Sequence, residues 1–114
     1  MATKQSTVDY ILDQLVSVGD VSAKKMFGGY VLYYGDKVVG LVCDDKLFVK
    51  ITESGKKFVG RRYREGHAYP GAKTSMYIDE DQIDDRAWLC ELIRITAKNV
   101  PNPKKKFKQT KVAK

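Results

Sequence analysis

The 114-residue sequence predicts an α+β domain of two layers, with helices packed on one face of an antiparallel sheet. Apolar residues with helical spacing form one stripe near the start of the chain and a second stripe over residues 88–96. Between them, short β-branched and aromatic runs follow one another across tight turns. Strands joined by such short turns pair antiparallel, because parallel pairs need long crossovers. The expected order of elements is α-β(3)-α-β(1-2)-α.

The first helix is predicted from an apolar stripe near the start of the chain. Ser6 or Thr7 can cap it with a side-chain oxygen, and Gly19 offers a stop. Asp13 and Gln14 lie off the stripe, so we expect both to face solvent. The stripe has the spacing i, i+3, i+4, i+7 and i+8, and its members are Val8, Ile11, Leu12, Leu15 and Val16.

The centre of the chain is predicted to form a three-stranded antiparallel meander. Residues 30–34, 38–43 and 47–51 are apolar runs rich in β-branched and aromatic side chains. The 35–37 segment, Gly-Asp-Lys, and the pair Asp44-Asp45 supply the turns, since glycine and aspartate tolerate left-handed backbone.

Three further elements are predicted after the meander. Residues 54–64 are expected to form a shorter helix, and residues 74–78 a strand, with a brief extended piece near 67–69. Asp84 or Asp85 is expected to cap a final helix that ends before Pro101. Its buried face consists of Trp88, Leu89, Leu92, Ile93 and Thr96.

One face of the predicted sheet has no helix to cover it and needs water or a partner. The candidates for this face are aromatic: Tyr30, Tyr33, Tyr34 and Phe48. An exposed aromatic sheet face favours dimerisation. The same rings could instead fill the core, and the sequence alone leaves both interpretations open.

Positive charge is concentrated at the end of the chain. Residues 1–100 hold 15 Lys and Arg against 14 Asp and Glu, whereas residues 101–114 hold six lysines and no acid. The end segment has too little apolar surface to offset the entropy of ordering it. We therefore expect one folded domain over residues 1–100 and a disordered basic tail over residues 101–114.

No catalytic set is recognisable, and we expect no enzymatic activity, no cofactor, no metal and no small-molecule substrate. His67 is the only histidine, and Cys43 and Cys90 lack the spacing of a zinc site. Both cysteines fall in apolar runs and are expected to be buried and reduced. Together with the absence of a signal sequence and of a membrane-spanning run, this predicts a cytoplasmic protein with no membrane partner.

Two basic segments are candidates for contact with nucleic acid or another anion. On a continuous helix, Lys57, Arg61 and Arg64 would share one face, with Arg62 beside them. Lysines of the tail flank an aromatic residue, and such a segment binds phosphates weakly and in a salt-sensitive way. A solvated helix face and a solubilising tail are the alternatives. The tail lysines concerned are Lys104, Lys105, Lys106 and Lys108.

A glycine pair stands at the entry to the meander, within the run Met26, Phe27, Gly28, Gly29 and Tyr30. It matches neither GxGxxG nor GxxxxGK[ST], and a strand rather than a helix follows it. We interpret the pair as a bend or bulge where backbones approach closely, not as a phosphate site.

This run, followed by Leu32-Tyr33 and the 35–37 turn, resembles the signature of the TfoX/Sxy N-terminal domain family. The similarity continues through the segment LVCDDKLFVK and residues 69–78, and covers roughly residues 8–98. One departure is that acids near Glu80-Asp81 replace a proline that is usual after the last strand.

The resemblance implies a bacterial protein with an α+β fold similar to secretion-chaperone-like folds, whose sheets often support dimers. Full-length relatives regulate natural competence with the cyclic-AMP receptor protein and carry a helical C-terminal domain, for which this sequence has no room. The family defines no catalytic residues. We therefore expect a stand-alone, non-enzymatic regulatory or protein-interaction module. Its expected partners are a second copy of the chain and a protein such as the transcription machinery. The alternative is a nucleic-acid-associated protein that binds through the tail and residues 56–64.

Overall fold

A computed structural model describes residues 3–26 and 29–100 of the chain. Six strands form one antiparallel sheet in the order β1-β2-β3-β4-β6-β5, accompanied by four α-helices. The predicted α+β class and the antiparallel sheet are therefore confirmed. Within the described part of the chain, no helix is long and apolar enough to cross a bilayer.

Every pair of adjacent strands runs antiparallel. Neighbouring strands follow one another in the chain except β4 and β6, which α2 and β5 separate. The strands are β1 Val21–Met26, β2 Gly29–Tyr34, β3 Lys37–Cys43, β4 Lys46–Val49, β5 Glu65–His67 and β6 Thr74–Ile78. The helices are α1 Gln5–Gln14, α2 Glu53–Val59, α3 Glu80–Asp84 and α4 Arg86–Asn99, with short 3-10 turns at Val16–Val18 and Gly60–Arg62.

The two predicted turns of the meander are present and have the backbone that their residues favour. Gly35 has φ of +60°, and Asp44 and Asp45 have φ of +54° and +62°. Two consecutive residues in the left-handed region form the tight turn whose twist matches that of the flanking strands. The Asp44-Asp45 turn fixes the register of β3 and β4, whereas the register of β2 and β3 shifts by one residue between Leu32 and Tyr33.

The sheet contains one strand more in its first half than predicted. β1 precedes the meander, so the order is α-β(4)-α-β(2)-α-α. The last helical segment is also divided in two. Asp79 caps α3 by accepting from Gln82 N–H, while Asp85 ends α3 and caps α4 by accepting from Trp88 N–H. The predicted cap at Asp85 is thus correct, but the acids before it form their own helix.

Helix α1 differs from the prediction at both ends. It begins at Gln5, and neither Ser6 nor Thr7 caps it. Val16 lies beyond the helix in a 3-10 turn and is 65% exposed, so it does not belong to the buried stripe. Gln14 is buried instead of facing solvent.

The hydrophobic core lies between the sheet and the helices, and each helix contributes to it. Inward-facing strand residues such as Leu32, Leu47 and Met76 are fully buried in this cluster. Because all four helices share the cluster, they lie on the same side of the sheet. The helix members are Val8, Ile11, Val59, Ile83, Leu89, Cys90, Leu92, Ile93 and Ala97. The polar residue Thr96 of α4 is also buried.

Candidate interaction surfaces

The side of the sheet that faces away from the helices carries a continuous row of apolar side chains. Cross-strand pairing places Val31 opposite Leu41, Leu41 opposite Phe48, and Phe48 opposite Tyr77. Val31 and Phe48 are buried, yet neither belongs to the core cluster that contains the helices. They therefore form a second apolar layer on the opposite side.

We call this side of the sheet the open face, since no described helix packs on it. Cross-strand pairing assigns its members, and a bulge at Val39 places Val38 and Leu41 on the same face. They are Ser22, Lys24, Met26, Gly29, Val31, Tyr33, Val38, Leu41, Cys43, Lys46, Phe48, Gly66, Ser75 and Tyr77. None of these positions carries Asp or Glu, so the face is apolar and aromatic with a cationic margin.

Aromatic contacts organise the open face. The rings of Phe48 and Tyr77 lie 5.7 Å apart and tilted by 48°. Gly66 leaves room for the Phe48 ring, because a Cβ at Gly66 would lie 3.1 Å from Phe48 Cε2. Lys24 Nζ lies 5.9 Å from the centre of the Tyr33 ring, and Arg64 Cζ lies 5.1 Å from that of Tyr77. A cation thus covers part of each tyrosine ring.

The predicted aromatic face was half right. Tyr33 and Phe48 lie on the open face, whereas Tyr30 and Tyr34 pack against the core on the helix side. Tyr30 Oη also donates to Gln5 Oε1 of α1 at 2.7 Å. Side chains alternate between the two faces along a strand, so Tyr30 and Tyr34, at odd spacings from Tyr33, point to the opposite face.

Sequence reasoning missed Val31, Leu41 and Tyr77 as members of the open face. The turn at Asp44-Asp45 does predict that Leu41 lies opposite Phe48. A two-residue turn at Asp44-Asp45 pairs Cys43 with Lys46 and, two residues further back, Leu41 with Phe48. No comparable turn joins β4 to β6, so the position of Tyr77 requires the tertiary structure.

Of the glycine pair, the structure describes Gly29, and this residue lies where two backbones approach closely. A Cβ at Gly29 would lie 2.6 Å from both Cys43 Sγ and Val42 O. This approach accounts for glycine at that position without any ligand. Met26 is 41% exposed on the open face, while Phe27 and Gly28 lie outside the described residues.

The basic segment does not form the continuous helix face that we predicted. Helix α2 ends at Val59, where Gly60 has φ of +64°, so Lys57, Arg61 and Arg64 do not line one helix. A left-handed residue ends a helix because it turns the chain away from the axis.

Two of the predicted basic residues share one carboxylate. Arg62 Nη2 lies 3.7 Å from Asp79 Oδ1, and Arg64 donates to Asp79 Oδ2. Lys57 and Arg61 are exposed and have no ion-pair partner within residues 3–26 and 29–100. Lys104, Lys105, Lys106 and Lys108, like the whole predicted disordered tail, lie outside the described residues.

Asp44 and Asp45, in the turn between β3 and β4, form hydrogen bonds with residues at the start of α1. Asp45 Oδ1 accepts from Lys4 N–H at 2.8 Å and from Thr7 Oγ1 at 3.0 Å. Asp44 N–H donates to Thr3 Oγ1 at 2.9 Å. The hydrogen bond from Lys4, followed by that from Thr7, lowers the pKa of Asp45. The left-handed backbone of Asp44 and Asp45 forms the turn, as predicted, and their hydrogen bonds also hold the start of α1 against it.

Other polar groups of the described chain do not converge on a metal or a nucleophile. No group of three or more His, Cys, Asp or Glu residues among them could hold a metal ion. The Nδ1 atom of His67 lies 2.9 Å from Ala72 O, within its own loop. Tyr10 Oη donates to Asp84 Oδ1 at 2.5 Å, and this hydrogen bond raises the pKa of Tyr10.

The two thiols occupy different environments, and both are unpaired. Cys90 is buried and donates from Sγ to Gln14 O at 3.1 Å. Cys43 is only half-buried, contrary to prediction, because it lies on the open face at the end of β3. Partial burial, followed by the charge of Asp44, raises the pKa of Cys43.

These features define a small α+β domain in which no described helix covers one face of the sheet. Comparison with known families gives the same class: the TfoX N-terminal domain model matches residues 13–100. The chain belongs to the TfoX N-terminal domain family, which is associated with competence regulation.

The chain is also similar to a curated protein along nearly its whole length. It is described as "Uncharacterized 12.7 kDa protein in trpE 5'region" from Spirochaeta aurantia, and it is 36% identical over 111 residues. The match covers 97% of this chain and 95% of the relative. The similarity therefore extends along almost the whole of both sequences.

Proposed function

We propose that this chain is a non-enzymatic regulatory interaction module and that it forms a homodimer through the open face. The observation that carries the proposal is the row from Val31 to Tyr77, which crosses four strands with no described helix above it. Interface cores are enriched in aromatic residues and methionine and poor in carboxylates. The open face has this composition, and its cations lie toward the margin, as in a polar rim.

Light scattering over a range of protein concentrations tests the dimer. We expect wild type to be dimeric and Leu41→Glu to be monomeric, because the substitution places a charge in the middle of the row. Val16→Glu is the matched control, since Val16 is an exposed apolar residue away from the open face. A monomeric wild type, or equal effects of the two substitutions, would refute the proposed dimer.

The regulatory part of the proposal rests on family membership, and it names the transcription machinery as the heterologous partner. Biolayer interferometry with purified RNA polymerase and purified cyclic-AMP receptor protein tests it, with the full chain immobilised. We expect saturable binding to at least one of the two. Absence of binding to both would remove the transcription machinery as a partner while leaving the dimer untouched.

Binding of nucleic acid is the second candidate function. Lys57 and Arg61 favour it, since both are exposed and have no ion-pair partner within the described chain. They lie near Arg62 and Arg64, which both form ion pairs with Asp79. A gel-shift series compares the full chain with a chain ending at Val100. Weak, salt-sensitive binding that truncation removes would support binding through the tail. Binding that is absent, or unchanged by truncation and by salt, would reject the tail as the contact.

We further propose that the protein works in the cytoplasm, and the two unpaired cysteines support this location. Thiols persist in reducing compartments, whereas oxidising ones favour disulfides. Fractionation of native cells, followed by immunoblotting, should place the protein in the cytoplasmic fraction. Recovery from the periplasm or medium would contradict the proposal.

A further inference from the structure

The strand β1 forms a free edge of the sheet. It is six residues long, pairs only with β2, and keeps a continuous register from Val21 opposite Tyr34 to Met26 opposite Gly29. The other edge strand, β5, has three residues. A long and regular edge presents backbone groups that another strand can use.

The backbone groups that face outward on β1 can be identified. Gly35 N–H donates to Asp20 O at 2.8 Å, one position beyond the paired residues Val21 and Tyr34, so Asp20 and Gly35 form a hydrogen-bonded pair. Because hydrogen-bonded pairs alternate with non-bonded pairs in an antiparallel ladder, Ala23 and Lys25 direct their N–H and C=O groups away from β2. Within the described chain, no backbone hydrogen bond from another segment reaches residues 22–26 apart from the β1–β2 ladder.

The side chains of this edge favour a negatively charged occupant. Lys24 and Lys25 point to opposite faces of the sheet, and Val21–Met26 contains no acid. A strand added beside β1 would therefore meet a cation on each face. A second copy of β1 would bring its own two lysines alongside these, and like charges on neighbouring strands destabilise pairing.

We propose that β1 binds an extended acidic segment of a partner protein, which adds to the sheet as a further strand. Main-chain hydrogen bonds to Ala23 and Lys25 supply the binding, and carboxylates near Lys24 and Lys25 supply the selectivity. This site goes beyond the proposed homodimer, because its hydrogen bonds come from the edge of the sheet, where only Lys24 also lies on the open face.

A synthetic peptide in which pairs of glutamates alternate with pairs of valines serves as the probe, because each glutamate pair places a carboxylate on both faces of an added strand. A valine–lysine peptide of the same pattern and length is its control. Isothermal titration with the full chain should detect the acidic peptide and not the basic one. The decisive comparison is Lys25→Pro against Lys25→Ala. Both remove the charge, but only proline removes the outward N–H, and it costs no bond of the β1–β2 ladder. We expect the proline variant to bind at least about tenfold more weakly than the alanine variant.

Reversal of charge provides a second test that does not depend on tolerance of proline. The double variant Lys24→Glu with Lys25→Glu should lose the acidic peptide and gain the basic one. Equal binding of the proline and alanine variants, or no reversal of preference, would show that the lysines only protect the edge from aggregation. The peptide measurement repeated in Leu41→Glu separates this site from the dimer, because edge binding should survive loss of the open-face contact.

Discussion

The side-chain amide of Gln14 in α1 donates a 2.8 Å hydrogen bond to the backbone carbonyl of Ile83 in α3. A second bond from the same nitrogen reaches Asp84 O at 3.2 Å. The backbone carbonyl of Gln14 in turn accepts from Cys90 Sγ of α4. One buried residue therefore joins three helices through polar contacts, and buried polar groups of this kind are costly to leave unpaired.

Truncation of this side chain should destabilise the domain. Gln14→Ala leaves the Ile83 carbonyl buried without its donor, and we expect a loss of about 1–3 kcal/mol in the free energy of unfolding. Urea denaturation measures it. The neighbouring variant Asp13→Ala removes only the exposed pair with Arg86, at 3.3 Å, and should cost less than about 1 kcal/mol. Equal losses in the two variants would show that the buried hydrogen bonds of Gln14 stabilise the domain no more than the exposed ion pair of Asp13 does.

The Asp45 carboxylate predicts a pH dependence of stability. Its pKa is lowered in the folded chain by donors from Lys4 and Thr7, so its contribution is present above the unfolded pKa of about 3.9. That contribution is lost as the pH falls through the lower folded value. Asp45→Asn tolerates the left-handed backbone and removes only the charge. Thermal unfolding should show a lower Tm for the variant at neutral pH and a shrinking difference in acid; a constant difference would contradict the assignment.

The close approach at Gly29 predicts a cost for any side chain there. Gly29→Ala places a Cβ within 2.6 Å of Cys43 Sγ and of Val42 O, and we expect a loss of about 1–3 kcal/mol in unfolding free energy. The double variant with Cys43→Ala should recover part of this loss, because the contact with the backbone oxygen remains. Chemical denaturation of the four proteins in this cycle measures the recovery. Full recovery would mean that the sulfur alone excludes a side chain.

The sequence predicted most of the fold because its signals are local. Left-handed turns at Asp44 and Asp45, a cap at Asp85 and apolar spacing in α4 follow from neighbouring residues. β1 was missed as a separate strand because VSAKKM has one β-branched residue and two lysines, a composition typical of an edge strand whose pairing comes from β2.

What the sequence did not predict depends on distant contacts. Gln14 lies next to the apolar stripe, and only the carbonyl of Ile83, 69 positions away, makes its burial favourable. The partition of the tyrosines between two faces requires knowledge of which side the helices cover. Similarly, Asp79 joins Arg62 and Arg64 because β6 lies between β4 and β5, which no local pattern reveals.

The most direct test of the central claim is the rate at which Cys43 reacts with a thiol reagent as protein concentration rises. Cys43 lies half-buried on the open face, while buried Cys90 is an internal control in the same chain. If a second copy covers the open face, Cys43 labelling at fixed alkaline pH should slow with concentration, and Cys90 should be unaffected. A Cys43 rate that is the same at all concentrations would contradict the proposed use of the open face.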